Sequence, residues 1–361
     1  MDLIRLRAQR VVTIAAGWAI AMFVFSIYEF SLLGTEGSYP NGAPYDYRQT
    51  LWLTPLMAFI GGFFIGTFEV FYLEEKLKRK PFGRSLVYRA LIHFILLFAL
   101  VAFGVHMYNL NILGKGFTSS EAISSTLEFI SSIYMFIIIF IWSVALLTVL
   151  FVMKISDKYG PGVLKNILLG RYYNSRVEKR IFMFLDLKSS TTIAEKLGHI
   201  KYFRLLNDFF SDITNSVLKF EGEIYQYVGD EIVVSWKLPS GSDQAKCIAC
   251  FFDISRTIAD LATNYEAEYG LVPEFKAGFH CGEVTTGEVG VLKKEIIFTG
   301  DVLNTTSRIQ NKCNEYNTRL IVSADLKDLL PSSDEIKYDD LGSISLRGRE
   351  SAIQLYTASS S

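Results

Sequence analysis

The chain has 361 residues, half of them hydrophobic, with 28 Phe, 19 Tyr and a formal net charge of −1. That length allows two units of ordinary domain size. The near-zero charge excludes both the basic footprint of a nucleic-acid-binding surface and an acidic tail. The averages conceal a division: long apolar runs fill residues 1–153, and the remainder has the mixed charge of a globular domain.

Four apolar segments, Val11–Leu33, Leu51–Leu73, Val87–Tyr108 and Leu127–Met153, have the length needed to cross a bilayer as helices, about 20 residues each. Arg5, Arg7 and Arg10 precede the first. The basic run Glu74–Arg84 separates the second from the third, and Lys154 and Lys158 follow the fourth. The other two loops carry only Arg48 and Lys115. This asymmetry predicts that both ends of the membrane region face the cytosol. The first segment is too long for a removable signal peptide and lacks its small-residue cleavage site. Trp52, Tyr45 and Tyr47 suit an interfacial belt. Glu29, Glu69, His93 and Glu128 lie in or near the segments, and ionisable groups there are candidates for a ligand or ion site. The three glutamates fall near segment ends, where headgroups and water are expected within reach. Short outer loops favour a lipid-phase signal, or a simple tether, over a large ligand.

Residues 154–179 form a linker broken by Gly160-Pro161-Gly162, suited either to signal transmission or to passive tethering. Residues 180–361 form the globular unit. Arg180–Asp186 has the pattern of a strand ending on an acid, followed by the turn KSSTT and a helix. A second, amphipathic helix spans Tyr202–Phe220 with apolar Leu206, Phe209, Phe210, Ile213, Val217 and Phe220. EIYQYV and EIVVSW flank Gly229-Asp230 as a tight hairpin. A helix over Asp243–Tyr269 and a strand over Phe275–Val284 complete the order β-α-β-β-α-β of a ferredoxin-like α+β fold. Cys247 and Cys250 form a CxxC pair on that helix. No second pair or nearby His completes a zinc site, so they read as small apolar side chains on one face.

This topology places the end of the first strand and the hairpin after the second at the same sheet edge. Asp186 and Asp230 are thereby expected together. Two carboxylates so placed repel unless divalent cations bind between them, and an oxygen donor set suits Mg²⁺ or Mn²⁺. The bland alternative makes Gly229-Asp230 a turn and Asp186 a strand end.

Five ordered motifs between Arg180 and Tyr356 resemble the class III adenylyl/guanylyl cyclase family. They are FMFLDLKSST, EGEIYQYVGDE, AGFHCGEVTTGEVG, TGDVLNTTSRI and ISLRGRE. The resemblance implies metal ligation by Asp186, Asp230 and the backbone carbonyl of Leu187, with Ser189, Ser190 and Thr191 as a phosphate loop. It implies that Asn304 orients the ribose, that Arg308 stabilises charge on the α-phosphoryl group, and that Arg347 stands where the family has a phosphate-binding Lys. It further implies two divalent cations and a head-to-tail homodimer whose sites are shared between subunits. With the four apolar segments and their flanking charge, the likeness to bacterial members leads to the expectation of a multi-pass protein of a bacterial cytoplasmic (inner) membrane, with its catalytic domain in the cytosol. Base selection departs from the family: Gln226 stands where adenylyl cyclases place Lys and guanylyl cyclases Glu, and Ile297 where Asp or Thr is usual. Gln can donate or accept, Ile297 does neither, and neighbouring Thr299 is a possible substitute. The resemblance to bacterial members favours ATP over GTP. A catalytically inactive cyclase-like receptor is the alternative of another class.

Overall fold

The structure is a computed structural model that describes residues 3–35, 45–77, 80–114, 116–159, 170, 174–292, 294–331, 336–344 and 352–360. The chain divides into two compact units with their boundary after Pro161. Each is described separately.

The first unit is helical. Helix α1 spans Leu3–Leu33 and α2 spans Tyr47–Phe68, continuing through a π-helical turn, Glu69–Leu73, and a last α-helical turn, Glu74–Leu77. Helix α3 spans Phe82–Leu113, α4 spans Ser120–Ile130 and α5 spans Ile133–Tyr159. Among the described residues four helices are long and apolar enough to cross a membrane. The fourth predicted segment differs in its start. Leu127–Ile130 closes α4, and Ser131 and Ser132 turn their hydroxyls back onto carbonyls at the break before α5. Helix α5 also continues past Met153 into the predicted linker, to Tyr159.

Close approach of α1 and α2 depends on two glycines spaced four apart. A Cβ at Gly62 would stand 2.9 Å from the Trp18 side chain, and one at Gly66 would stand 3.2 Å from Ile14. Small residues at this spacing let helix backbones pack tightly where water supplies no hydrophobic drive. Trp18 in turn stacks on Trp142 of α5, with ring centroids 4.7 Å apart. Arg10 pairs with Glu74 at 2.9 Å and Arg7 with Glu75 at 3.2 Å, fixing the antiparallel ends of α1 and α2.

Two of the four ionisable residues singled out behave otherwise than expected. Glu69 does not reach outward: it is 1% exposed, and its carboxylate accepts a hydrogen bond from the Arg89 guanidinium on α3. His93, one turn beyond Arg89, places Nε2 3.5 Å from the same carboxylate. Arg89 neutralises the acid, which explains how Glu69 tolerates burial. Glu29 is also buried, whereas Glu128 is exposed.

The second unit is a mixed sheet with helices. Its strands are β1 (Arg176–Leu187), β2 (Glu223–Val228), β3 (Glu231–Lys237), β4 (Phe275–Val289), β5 (Glu295–Thr299), β6 (Leu320–Ser323), β7 (Ile336–Ile344) and β8 (Ile353–Ser360). Its longer helices are α6 (Ser190–Leu197), α7 (His199–Lys219), α8 (Lys246–Asp260), α9 (Ala262–Tyr269) and α10 (Asp301–Glu315). The sheet order is β2-β3-β1-β4-β6-β8-β7, with β5 paired to β4. Strand β3 lies between β1 and β2 and is antiparallel to both, so β1 and β2 point the same way, as a ferredoxin-like crossover requires.

Strand β1 is central because its alternate residues bury on both faces. Ile181, Met183 and Leu185 pack against α7 and α8, through Phe209, Ile213, Ile248 and Ile254. Phe182 and Phe184 face the other way, toward Val284, Phe298 and Val302. On α7 Leu205, rather than Leu206, is the fully buried leucine, and Leu206 packs at the rim. The predicted helix over Asp243–Tyr269 breaks at Leu261 into α8 and α9. Cys247 and Cys250 both enter the core beneath α8, where burial drives both thiols up, Cys247 to about 12.

Candidate active site

Register assembles the site. Strands β1 and β3 pair so that Asp186 lies opposite Glu231, the residue after the hairpin tip. The hairpin loop is Gly229-Asp230, and Gly229 takes φ +63°, a conformation that a side chain disfavours. Asp230 therefore arrives beside the end of β1. The two carboxyls are close enough to hydrogen-bond.

The electrostatics follow from this crowding. Burial, then the hydrogen bond to Asp230 and its charge, raise Asp186 above the ordinary carboxylate range, against the opposing pull of Lys276 and Gln310. Burial, with the charges of Asp186 and Asp230, lifts Glu231 to about 7. Glu231 held this way keeps a proton up to about neutrality when no cation is present. A hard divalent cation relieves the repulsion, and the all-oxygen donor set of the two aspartates fits Mg²⁺ or Mn²⁺. The backbone carbonyl of Leu187 follows Asp186 at the last residue of β1. Among the described residues no group of three His, Cys, Asp or Glu side chains makes a complete metal cage.

Ser189, Ser190 and Thr191 stand where the chain leaves β1 and opens α6, with Ser189 in the left-handed region at φ 54°. The Tyr202 phenol at the start of α7 is raised by burial and by the charge of Asp230, against an opposing pull from Ser190. The residues expected to form a phosphate loop thus follow directly on the strand that carries Asp186.

Asn304 and Arg308 lie one turn apart on α10, Asn304 exposed and Arg308 half-buried. Among the described residues no hydrogen bond or ion pair joins either to Asp186 or Asp230. The side chain on α10 that does meet the carboxylate pair is Gln310, whose Nε2 donates to Asp186 Oδ2 at 3.0 Å. Arg347 lies outside the described residues.

The positions expected to read the base are on different strands, Gln226 exposed on β2 and Ile297 half-buried on β5. Their neighbours tie the strands together. The Phe298 N–H donates to the Tyr225 hydroxyl at 3.2 Å, and the two rings lie 4.9 Å apart.

Four residues at the site were given no role from the sequence: Glu231, Lys276, Gln310 and Tyr202. Glu231 closes the motif EGEIYQYVGDE, directly after Asp230. Lys276 becomes visible only through strand pairing, because β1–β4 register sets it opposite Asp186, with Nζ 3.4 Å from Oδ2.

Comparison with known proteins identifies the family of the second unit. Adenylate cyclase 2 of Rhizobium meliloti (strain 1021) is 35% identical over 201 residues, covering 56% of this chain and 55% of that protein. The receptor-type guanylate cyclase gcy-6 of Caenorhabditis elegans is 24% identical over 169 residues, covering 46% of this chain but 15% of its own length. The chain thus spans about half, or less, of these relatives. The structure of a bacterial light-regulated adenylyl cyclase superposes with TM-score 0.53 at 24% identity, covering 63% of this chain and 66% of that one, and shows the shared fold. Residues 172–359 match the family described as Adenylate and Guanylate cyclase catalytic domain, and the chain belongs to that family.

Proposed function

We propose that the protein is a membrane-anchored adenylate cyclase that forms 3′,5′-cyclic AMP and pyrophosphate from ATP. The observation that carries this reading is the meeting of Asp186 and Asp230 at one sheet edge, beside the turn that opens α6. The ribose 3′-oxygen attacks the α-phosphorus, the α–β anhydride bond breaks, and pyrophosphate leaves. Two divalent cations, Mg²⁺ or Mn²⁺, bound at the pair would acidify the 3′-hydroxyl and offset phosphate charge. Asp186, Asp230 and the Leu187 carbonyl are the residues that hold them. Ser189, Ser190 and Thr191 take phosphate oxygens, and Arg347 holds the terminal phosphates.

The working unit in this reading is a homodimer. Asn304 of the partner subunit orients the ribose, and Arg308 of the partner subunit stabilises charge growing on the α-phosphoryl group. Asn304 is exposed and Arg308 half-buried, and among the described residues neither bonds to the aspartates of its own chain, which supports a shared site. Gln226 and Ile297 line the base. A guanylate or dual-specificity cyclase is the second reading, favoured by the exposed Gln226 amide, which can meet either base. Intact Asp186, Asp230, Asn304 and Arg308 speak against a catalytically silent receptor.

Anchoring is supported by the outward faces of the long helices, where Ile20, Phe64, Ile95 and Phe136 are each more than 60% exposed. Helices apolar on every side belong in lipid. The assigned organisation is a membrane region over residues 1–153, a linker over 154–179 and a catalytic domain over 180–361, in a bacterial cytoplasmic membrane with the catalytic domain in the cytosol.

The test is cyclic nucleotide formation by the full chain in membranes with Mn²⁺ and ATP or GTP, using Asp230→Asn as the blank. Faster cyclic GMP formation refutes the choice of ATP. Co-expression of Asp230→Asn with Arg308→Ala should regain part of the activity that each loses alone; a mixed dimer without activity refutes the shared site.

A further inference from the structure

One cluster of buried ionisable side chains in the helical unit takes no part in the reaction. Glu69 opens the π-helical turn Glu69–Leu73 and is 1% exposed, while Arg89 and His93 on α3 are 5% and 2% exposed. Val70, the next residue, and Leu97, one turn beyond His93, belong to the apolar core of this unit. Ionisable groups so placed are functional candidates, and π-helical turns are frequent at functional sites. Arg89 donates to Glu69 Oε1 and, through Nε, to the Ser85 hydroxyl. His93 Nδ1 lies 2.8 Å from the Arg89 carbonyl, which can only accept, so Nδ1 carries a proton. In a neutral ring Nε2 then points a lone pair at Glu69 Oε2, 3.5 Å away, and Nε2 completes no hydrogen bond. The other neutral tautomer is no better, because it sets a bare Nδ1 against the Arg89 carbonyl. Either neutral ring leaves two acceptors facing each other in a dry interior, where an unmade hydrogen bond is costly. Only the imidazolium serves both contacts.

We propose that Glu69, Arg89 and His93 form a proton-binding site in the helical unit, with the proton carried on His93 Nε2 and held by Glu69 Oε2. The spacing selects the ligand. A bridging water needs its two neighbours about 4.5 Å apart, more than the 3.5 Å between these atoms. A metal ion would stand against the Arg89 guanidinium, and among the described residues no group of three His, Cys, Asp or Glu gathers to hold it. Arg89 balances the carboxylate charge through Oε1, so Oε2 stays an ionised acceptor and the proton belongs to the ring. Few other charges bear on it. On α1, Arg7 and Arg10 are paired with Glu75 and Glu74. Arg84 on α3 and both acids of α4, Glu121 and Glu128, are exposed. The described side chains of α5 include no acid or base. Binding and release of the proton therefore change the charge of a dry, otherwise balanced cluster by one.

The test is magic-angle-spinning NMR of the full chain in phosphatidylcholine bilayers, with histidine labelled in carbon-13 and nitrogen-15. The chain has four histidines, and His93→Gln identifies the His93 signals by their loss. Ring nitrogen shifts separate the charged ring, with two N–H groups, from either neutral tautomer. Wild type is expected to show a charged His93 ring at pH 5.5, losing its proton in one step as pH rises. Glu69→Gln removes the accepting carboxylate and is expected to weaken proton binding at His93 by about tenfold or more, which moves the midpoint by about one pH unit. His106, further along α3, is the internal reference and keeps its midpoint in that variant. A His93 ring that is neutral at pH 5.5, or a midpoint that Glu69→Gln leaves unmoved, overturns the proposal. Should Glu69→Gln fail to fold, wild type decides by itself: the charged ring at pH 5.5 supports the site and the neutral ring refutes it.

Discussion

Gly278→Ala should separate the site from its support. Gly278 lies on β4 directly under α10, and a Cβ placed there would stand 2.4 Å from the Gln310 backbone nitrogen and 2.6 Å from its Cα. These atoms are helix backbone, so no side-chain rotation relieves the clash. Restoring ordinary contact, about 3.5 Å, demands that α10 move outward by about 1 Å. Overpacking of a well-filled interior costs about 1–3 kcal/mol, and an unyielding backbone contact belongs at the upper end. For a domain of this size that is a fall in Tm of about 6–12 °C. The same movement stretches the 3.0 Å Gln310–Asp186 hydrogen bond beyond bonding range and shifts Asn304 and Arg308 with the helix. A displacement of about 1 Å in a positioned group can lower turnover about 100-fold. Thermal unfolding and cyclic AMP formation, both on the full chain, check the two halves of the expectation. A variant with wild-type Tm and wild-type activity would show that α10 does not lie against β4 as described.

In the helical unit, Arg89→Met strands the buried Glu69 carboxylate and should cost about 3–5 kcal/mol, whereas the double change Glu69→Leu with Arg89→Met should recover most of it. Thermal unfolding in detergent measures both, and equal loss in the single and double variants would refute the pairing. Glu231 and Asp186 have carboxyls raised in the folded protein, Glu231 to about 7. The folded state therefore binds protons more tightly than the unfolded chain, and cation-free stability falls as pH rises from the ordinary carboxylate range to about 7, then levels. Mn²⁺ must displace those protons, so it should raise Tm more at pH 8 than at pH 6; equal increments would count against cation binding at these carboxylates. Gln226→Lys combined with Ile297→Asp should raise the ATP-to-GTP ratio of kcat/KM by about tenfold, the worth of one added hydrogen bond to the base. A ratio unmoved by both changes would remove these positions from base recognition.

What could be foreseen from sequence was what depends on local order. Asp186 at the end of an apolar run, and Asp230 after Gly229 between two alternating segments, are visible because strand and turn signals are short-range. One topological rule then joins them. Lys276 and Gln310 were hidden because their meaning lies in contacts 90 and 124 positions away along the chain. The break at Ser131 was hidden for another reason: the end of α4 (Leu127–Ile130) meets apolar α5 across only Ser131 and Ser132, and a serine pair is no strong helix stop. Glu69 misled because its distance from the segment end suggested water, while its partner Arg89 lies 20 residues on, within an apolar helix.

Helix α10 presents Gln310 inward to the carboxylate of its own chain, while Asn304 is exposed and Arg308 half-buried, neither bonded to that carboxylate pair. In a dimer with shared sites, one helix thereby serves two reaction centres, Gln310 one and Asn304 with Arg308 the other. A subunit carrying both Asp230→Asn and Arg308→Ala would then spoil every centre it joins. Co-produced with wild type, it should depress activity below the half that independent subunits would retain, so that a single defective gene copy acts dominantly over a sound one.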